Sequence, residues 1–248
     1  MILSHRHKFV FIKGMKVAGT SVEMALALLC GPDDIVTPIS PIDERERLRL
    51  GASCRNYSAD RALEADYLAR LAAARPEDLP ALRQPPLVYA NHMPLRDVLR
   101  IYARPLVGYR VVGVERSPYA KAISWANMRL TYDRYRVGGE MRADIEALRA
   151  CIDQGFETGV IRDARNIDRY RGPDGKLAAQ LMRYAALQED FGAFVRSLGV
   201  EDVPPLPHAK KGLMSDGLDP RAMLRPDQIG RINALFADEF AAFGYDRI

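Results

Sequence analysis

Residues 8 to 29 read KFVFIKGMKVAGTSVEMALALL, and they decide the fold because a buried strand, a glycine-bearing loop and a helix follow one another directly. Phe9, Val10, Phe11 and Ile12 form an unbroken apolar run with β-branched and aromatic members. Val22 to Leu29 are good helix formers. Gly14 and Gly19 have the five-residue separation of a P-loop, but Thr20 and Ser21 stand where that pattern demands lysine and then serine or threonine. The lysine is Lys16, inside the loop. Backbone N–H groups of such a turn and of the first helical turn point at one spot, where the helix dipole favours negative charge. Lys16, Val17, Ala18, Gly19, Thr20 and Ser21 are therefore expected to cradle a phosphate-like anion.

The same logic recurs downstream. PLVYANHMPLRDVLRIY predicts a short strand over Leu87–Ala90, a turn carrying Asn91 and His92, and a helix opened by Pro94. YRVVGVERSPYAKAISWANMRL predicts a strand from Tyr109 to Glu115 and a helix opened by Pro118. Three strand–turn–helix units in series predict an α/β fold, a three-layer P-loop-like arrangement with a mainly parallel central sheet flanked by helices. Ligands collect at the carboxyl ends of strands in such sheets, and Lys16, His92 and Arg116 each follow a predicted strand end. The stretch from 32 to 86 reads as a helical and loop insertion, with Ser58 as N-cap of a helix whose face carries Leu63, Tyr67, Leu68 and Leu71. Residues 141 to 153 read as a helix, GPDG at 172 to 175 as a tight turn joining two short strands, and EDFGAFVRSLG as a helix ended by Gly199. A last helix is expected from Asp227 to Phe243.

At 248 residues the chain suits a single domain spanning 1–248. With 48% hydrophobic and 27% charged residues it has the composition of a globular protein, and a net charge of +4 with scattered arginines suits a small polyanion better than a nucleic acid. The cysteines, Cys30, Cys54 and Cys151, are three in number and lack metal-ligand spacing, which predicts a reducing compartment. No apolar stretch approaches the roughly 18 residues of a membrane span. The first predicted strand begins soon after Met1, so no signal peptide and a cytoplasmic location are expected. Oligomeric state is not legible.

On these residues the chain resembles the superfamily of sulfotransferases that use 3'-phosphoadenosine 5'-phosphosulfate (PAPS), in particular its carbohydrate-type and bacterial members. MKVAGTS is similar to their loop PK(T/S)AGTS, with Met15 in place of proline, and RSPYAKAIS, from Arg116 to Ser124, resembles RxPxxRxxS, with Lys121 in place of the second arginine. DGKLAAQLMRYAALQEDFGAF resembles the family's segment before its late helix, although Ala185 stands where glutamate is frequent. LPHAKKG is similar to the late loop that closes over the nucleotide, and FAAFGYDRI to the usual ending. Together these cover most of the chain outside 32 to 86.

The resemblance implies that Lys16 stabilises charge on the departing phosphate oxygen. It implies that Arg116 and Ser124 bind the 3'-phosphate, and that Lys210, Lys211 and Gly212 close over the nucleotide. It further implies an acceptor hydroxyl on a carbohydrate or small metabolite, PAP (adenosine 3',5'-bisphosphate) as product, and no metal. His92, in NHMP, is the candidate base, since neutral imidazole takes a proton near pH 7; a structural role in its turn is the alternative. His5 and His7 read as solvated, and His208 as a loop-ordering or nucleotide-side residue. Two other functions compete. A P-loop kinase or NTPase needs a Mg²⁺ site, for which Glu115 followed at once by Arg116 is a poor environment. A non-catalytic nucleotide-binding module would bind PAP without transfer.

Overall fold

The computed structural model describes residues 1–136, 143–207 and 219–248. It is an α/β structure built on a five-stranded mixed sheet flanked by helices, with strand order β3-β1-β2-β4-β5. The strands are β1 (Ile2–Ser4), β2 (Phe9–Phe11), β3 (Ile35–Val36), β4 (Arg110–Glu115) and β5 (Gln180–Arg183). β2 and β4 pair in parallel, with Phe9 opposite Arg110 and Phe11 opposite Val112. β1 runs antiparallel to both β2 and β3. The expected mainly parallel sheet is thus corrected to a mixed one. The cause lies in residues 1 to 8: His5–Lys8 form a short turn that sends the chain straight back, and a connection this short permits only an antiparallel partner.

β2 is central and all of its residues are buried, which is why its sequence shows no polar alternation. Its pairing extends past its end, since Ile12 N–H donates to the Val112 carbonyl at 2.9 Å. The parallel register brings the carboxyl ends of β2 and β4 to the same edge of the sheet. From β2 the chain enters the loop and then helix α1 (Gly19–Ala27); from β4 it enters α5 (Pro118–Arg136).

Several local expectations are corrected. Leu87–Ala90 is not a strand: the N–H groups of Val88 and Tyr89 both donate to the Tyr57 carbonyl, at 2.8 and 3.0 Å, so this segment is tied to a loop rather than to a ladder. The 32–86 stretch contributes β3, which pairs with β1, followed by α2 (Pro41–Arg49) and α3 (Arg61–Ala73). Asp60 rather than Ser58 caps α3, accepting from Ala62 N–H at 2.8 Å, while Glu64 reaches back to the N–H groups of Asn56 and Ser58. α4 (Leu95–Tyr102) follows His92, one residue later than Pro94 suggests. The helix expected over 141 to 153 is α6 (Ile145–Glu157). The GPDG turn forms, but it joins single bridging residues, Arg171 and Leu177, rather than two strands. α7 (Ile167–Tyr170) is a single turn, and α8 (Leu187–Arg196) precedes Gly199, whose φ of 79° is one that glycine adopts without a Cβ penalty.

The chain divides into two compact units: Met1–Gly14, Ala18–Val114 and Arg169–Ala209 in the first, and Met15–Val17, Glu115–Asp168 and Lys210–Ile248 in the second. The second unit has its own core, in which α5 packs with α6, α9 (Pro220–Met223), α10 (Pro226–Leu235) and α11 (Ala237–Phe243) around Trp125, Ile152, Ile161, Phe236 and Phe240. Gly155 permits the close approach of α6, since a Cβ there would lie 2.7 Å from Trp125 Cζ3. The single last helix expected from the sequence is two, broken at Phe236 (φ −105°, ψ 21°). The break leaves Phe236 and Phe240 in the core and brings Glu239 in beside them.

Candidate functional site

The loop between β2 and α1 is shaped by two non-glycine residues in left-handed conformation, Lys16 (φ 62°) and Ala18 (φ 60°). Each such residue costs about 1–2 kcal/mol, and outliers of this kind cluster at ligand clamps. Ala18 is the N-cap of α1 yet supplies no side-chain cap, and the first turn contains no acidic residue. Its carbonyl accepts from Ser21 N–H at 3.1 Å and from Val22 N–H at 3.4 Å. The Ser21 N–H is therefore already used, so Ser21 has its hydroxyl to offer a ligand, while Gly19 and Thr20 open the helix. Lys16, Thr20 and Ser21 are half-buried; Val17 and Gly19 are buried.

Under this loop in the first unit lies a buried charge pair. Lys13 Nζ meets Glu23 Oε2 at 2.8 Å, and Glu23 also accepts from the Met1 ammonium at 2.7 Å and from Thr37 Oγ1 at 3.1 Å. Burial alone would raise the Glu23 carboxyl, but Lys13 and the other cations hold it far below the usual carboxylate range.

His92 is also held in the left-handed region, with φ 60°. Its Nδ1 lies 3.1 Å from the Lys13 carbonyl oxygen. Because a carbonyl only accepts, Nδ1 carries the proton and Nε2 presents its lone pair. Burial and the neighbouring Lys13 push the imidazole well below its ordinary value of 6.5, so it is neutral at pH 7. Arg169 donates to the His92 carbonyl at 2.6 Å and Asn91 Oδ1 accepts from His92 N–H at 3.1 Å, fixing the turn that the missing strand does not.

In the second unit, Arg116 follows β4 and is half-buried, and its N–H donates to Glu115 Oε1 at 2.8 Å. Ser124 lies two turns into α5 and is 5% exposed. Lys121, which the motif spacing placed in the position of a second phosphate arginine, is fully buried and is paired with Glu115 at 2.7 Å and with Glu239. Its charge is consumed there. Burial and the Glu239 charge push the Glu115 carboxyl up to about 7.

Asn166 has no counterpart in the sequence reading. Its side-chain oxygen accepts from Met15 N–H at 2.7 Å and its side-chain nitrogen donates to the Met15 carbonyl at 3.1 Å, gripping the residue before Lys16 on both sides. No local motif marks it. Glu239 was detectable: three residues after Phe236 and one before Phe240, it places a charge on the apolar face of a helix.

Lys210, Lys211, Gly212 and His208 lie outside the described residues. His5 is not simply solvated, since its Nδ1 is 2.7 Å from the Tyr109 hydroxyl. The three cysteines are free and buried. Among the described residues no group of three or more His, Cys, Asp or Glu is arranged to hold a metal ion, and no helix is long and apolar enough to cross a membrane. Comparison of the chain with protein-family models, with curated proteins and with solved structures found no match in any of the three.

Proposed function

We propose that this protein is a sulfotransferase that moves the sulfuryl group of PAPS to an acceptor hydroxyl on a carbohydrate or small metabolite. The observation that carries the reading is the loop from Gly14 to Ser21. A lysine and an alanine are held left-handed between a strand end and an uncapped helix start, with hydroxyls on the next two residues after Gly19. An anion is what such a loop suits. PAPS supplies an activated sulfuryl group and a second phosphate on the far side of its ribose, and Arg116, beyond the neighbouring parallel strand, is a fixed cationic fork for that phosphate.

In this reading the N–H groups of Gly19 and Thr20 and the hydroxyls of Thr20 and Ser21 bind the 5' end. Lys16 stabilises the negative charge that develops on the leaving phosphate oxygen. His92 Nε2 takes the proton of the acceptor hydroxyl as its oxygen bonds to sulfur, and the sulfur–oxygen bond to the phosphate breaks. Nδ1 keeps its own proton, which it donates to the Lys13 carbonyl, so the proton gained at Nε2 makes the ring imidazolium. Positioning and electrostatics supply the acceleration. Ser124 adds a hydroxyl on the Arg116 side, and Lys210, Lys211 and Gly212 are the expected cover over the nucleotide.

The test is thermal denaturation with PAP and, separately, with ATP and Mg²⁺, each with and without a chelator. At 100 times its dissociation constant a ligand stabilises by about 2.7 kcal/mol, which for a chain of this size raises Tm by about 5–10 °C. The expected result is a PAP shift that survives chelation. A shift with ATP and Mg²⁺ alone would instead support the phosphotransferase reading.

A further inference from the structure

One continuous chain of hydrogen bonds in the second unit joins the backbone beside Lys16 to the backbone beside Arg116. It starts at Met15, gripped through both its N–H and its carbonyl by Asn166, at 2.7 and 3.1 Å. The backbone N–H groups of Asn166 and Ile167 donate to Glu239 Oε1, the latter at 3.0 Å. Glu239 Oε2 binds Lys121, Lys121 binds Glu115 Oε1 at 2.7 Å, and the same Glu115 oxygen accepts from Arg116 N–H at 2.8 Å. Asn166, Glu239 and Lys121 have no exposed surface, and Glu115 is 2% exposed.

Stability does not explain this arrangement. Taking charges out of water costs several kcal/mol each, and well-packed apolar residues often replace a buried ion pair with no loss. An apolar cluster, however, has nothing with which to hold the Met15 and Arg116 N–H groups. Met15 also occupies the position where the resembling loop has proline, a residue without an N–H; here that N–H exists, and Asn166 takes it.

We infer that Asn166, Glu239, Lys121 and Glu115 are positioning residues that fix the spacing between the Lys16 loop and Arg116, so that the protein selects nucleotides phosphorylated at both ends of the ribose over those phosphorylated at one. The inference rests on the reading of Lys16 and Arg116 as two anion sites of one nucleotide. None of the four residues touches the ligand. Their effect is on simultaneous engagement: a rigid pair of sites binds a matching bisphosphate with an advantage that is lost when the spacing loosens, while each site still takes a single phosphate.

The experiment is calorimetric titration of the wild-type protein, Asn166→Ala and Glu239→Gln with PAP, 5'-AMP and 3'-AMP, each variant first checked by its melting curve. In the wild type, PAP is expected to bind at least about 10²-fold more tightly than either monophosphate. In the variants that preference should fall at least tenfold, with the monophosphate affinities changed less than threefold. An equal weakening of all three ligands, or no change in any, overturns the inference while leaving the sulfotransferase reading standing. A wild-type protein that binds PAP no better than 5'-AMP sinks the two-site reading itself, and the inference with it. Should both variants fail to fold, hydrogen exchange on the wild type decides. The Met15 amide should be protected without ligand while those of Gly19 and Thr20 are not, and a Met15 amide that exchanges as fast as theirs overturns the relay.

Discussion

Gly19→Ala is the most direct probe of how the loop is packed. A Cβ at position 19 would lie 2.7 Å from Lys13 Cγ and 3.5 Å from both Lys13 Cε and the Gly14 carbonyl oxygen. Contacts under 3 Å force something to shift, and Lys13 has little freedom to do so. Its Cγ is close to the backbone, the side chain is buried, and its ammonium is fixed on Glu23 at 2.8 Å. Overpacking of this kind costs about 1–3 kcal/mol, equivalent to a fall in Tm of about 2–12 °C for a chain of this length. The mechanism is then isolated by a double-mutant cycle with Lys13→Ala, measured by urea denaturation. Lys13→Ala leaves Glu23 short of a partner and costs about 3–5 kcal/mol on its own. It also removes the atom that the new methyl would strike. In that background Gly19→Ala should cost less than about 0.5 kcal/mol, giving a coupling of about 0.5 kcal/mol or more. If Gly19→Ala destabilises equally in both backgrounds, glycine is required for some reason other than Lys13. If it destabilises in neither, the close approach is not real.

Arg116→Ala should weaken PAP binding by at least tenfold in calorimetry and leave a nucleotide without a 3'-phosphate almost unaffected, since only the charge-assisted contact to that phosphate is lost. Lys16→Ala should reduce single-turnover sulfuryl transfer to every acceptor, whereas His92→Ala should keep PAP affinity and reduce transfer to an aliphatic hydroxyl by about 10²- to 10⁴-fold. The pH profile follows from the sign of the His92 shift. A histidine pushed well below 6.5 stays in its basic form throughout the neutral range, so transfer should be flat from pH 6.5 upward and decline only at more acidic pH. A rate that rises through pH 6.5 with increasing pH would mean that the base titrates normally and is not His92.

The legible parts of the fold were those encoded by neighbours in sequence. β2, α1, β4 and α5 each announce themselves within a dozen residues, through an apolar run, a glycine-bearing loop or a proline at the first helical position. β1 did not, because three residues, Ile2–Ser4, are too few to show a period, and only pairing with Phe9–Phe11 makes them a strand. Leu87–Ala90 shows the converse. Its composition suits a strand, but its N–H groups find Tyr57 before they find a ladder. The break at Phe236 was hidden for a similar reason, since the apolar residues on either side of it keep a helical spacing across the junction. Register and partner choice depend on atoms far away in the chain, and no local pattern carries them.

For the site, the difficulty is that a charge in sequence does not declare whether it faces a ligand or is already spent. Lys16 and Lys121 look alike as motif residues, one in each anion-binding signature. Physical chemistry separates them once their surroundings are known. A fully buried ammonium demands carboxylates, and Lys121 has two, Glu115 and Glu239, with no charge left for a phosphate. Lys16, by contrast, is half-buried and sits on backbone held left-handed. The same reasoning applies to Glu115, which by position at a strand end could have been a metal ligand in a phosphotransferase. Burial and a neighbouring carboxylate raise its affinity for a proton, and its Oε1 holds both Lys121 and the Arg116 amide. The carboxylate that a Mg²⁺ mechanism would need is thus committed to holding Arg116 in place. Under the reading proposed above, the anions are met instead by Lys16, Arg116 and backbone amides.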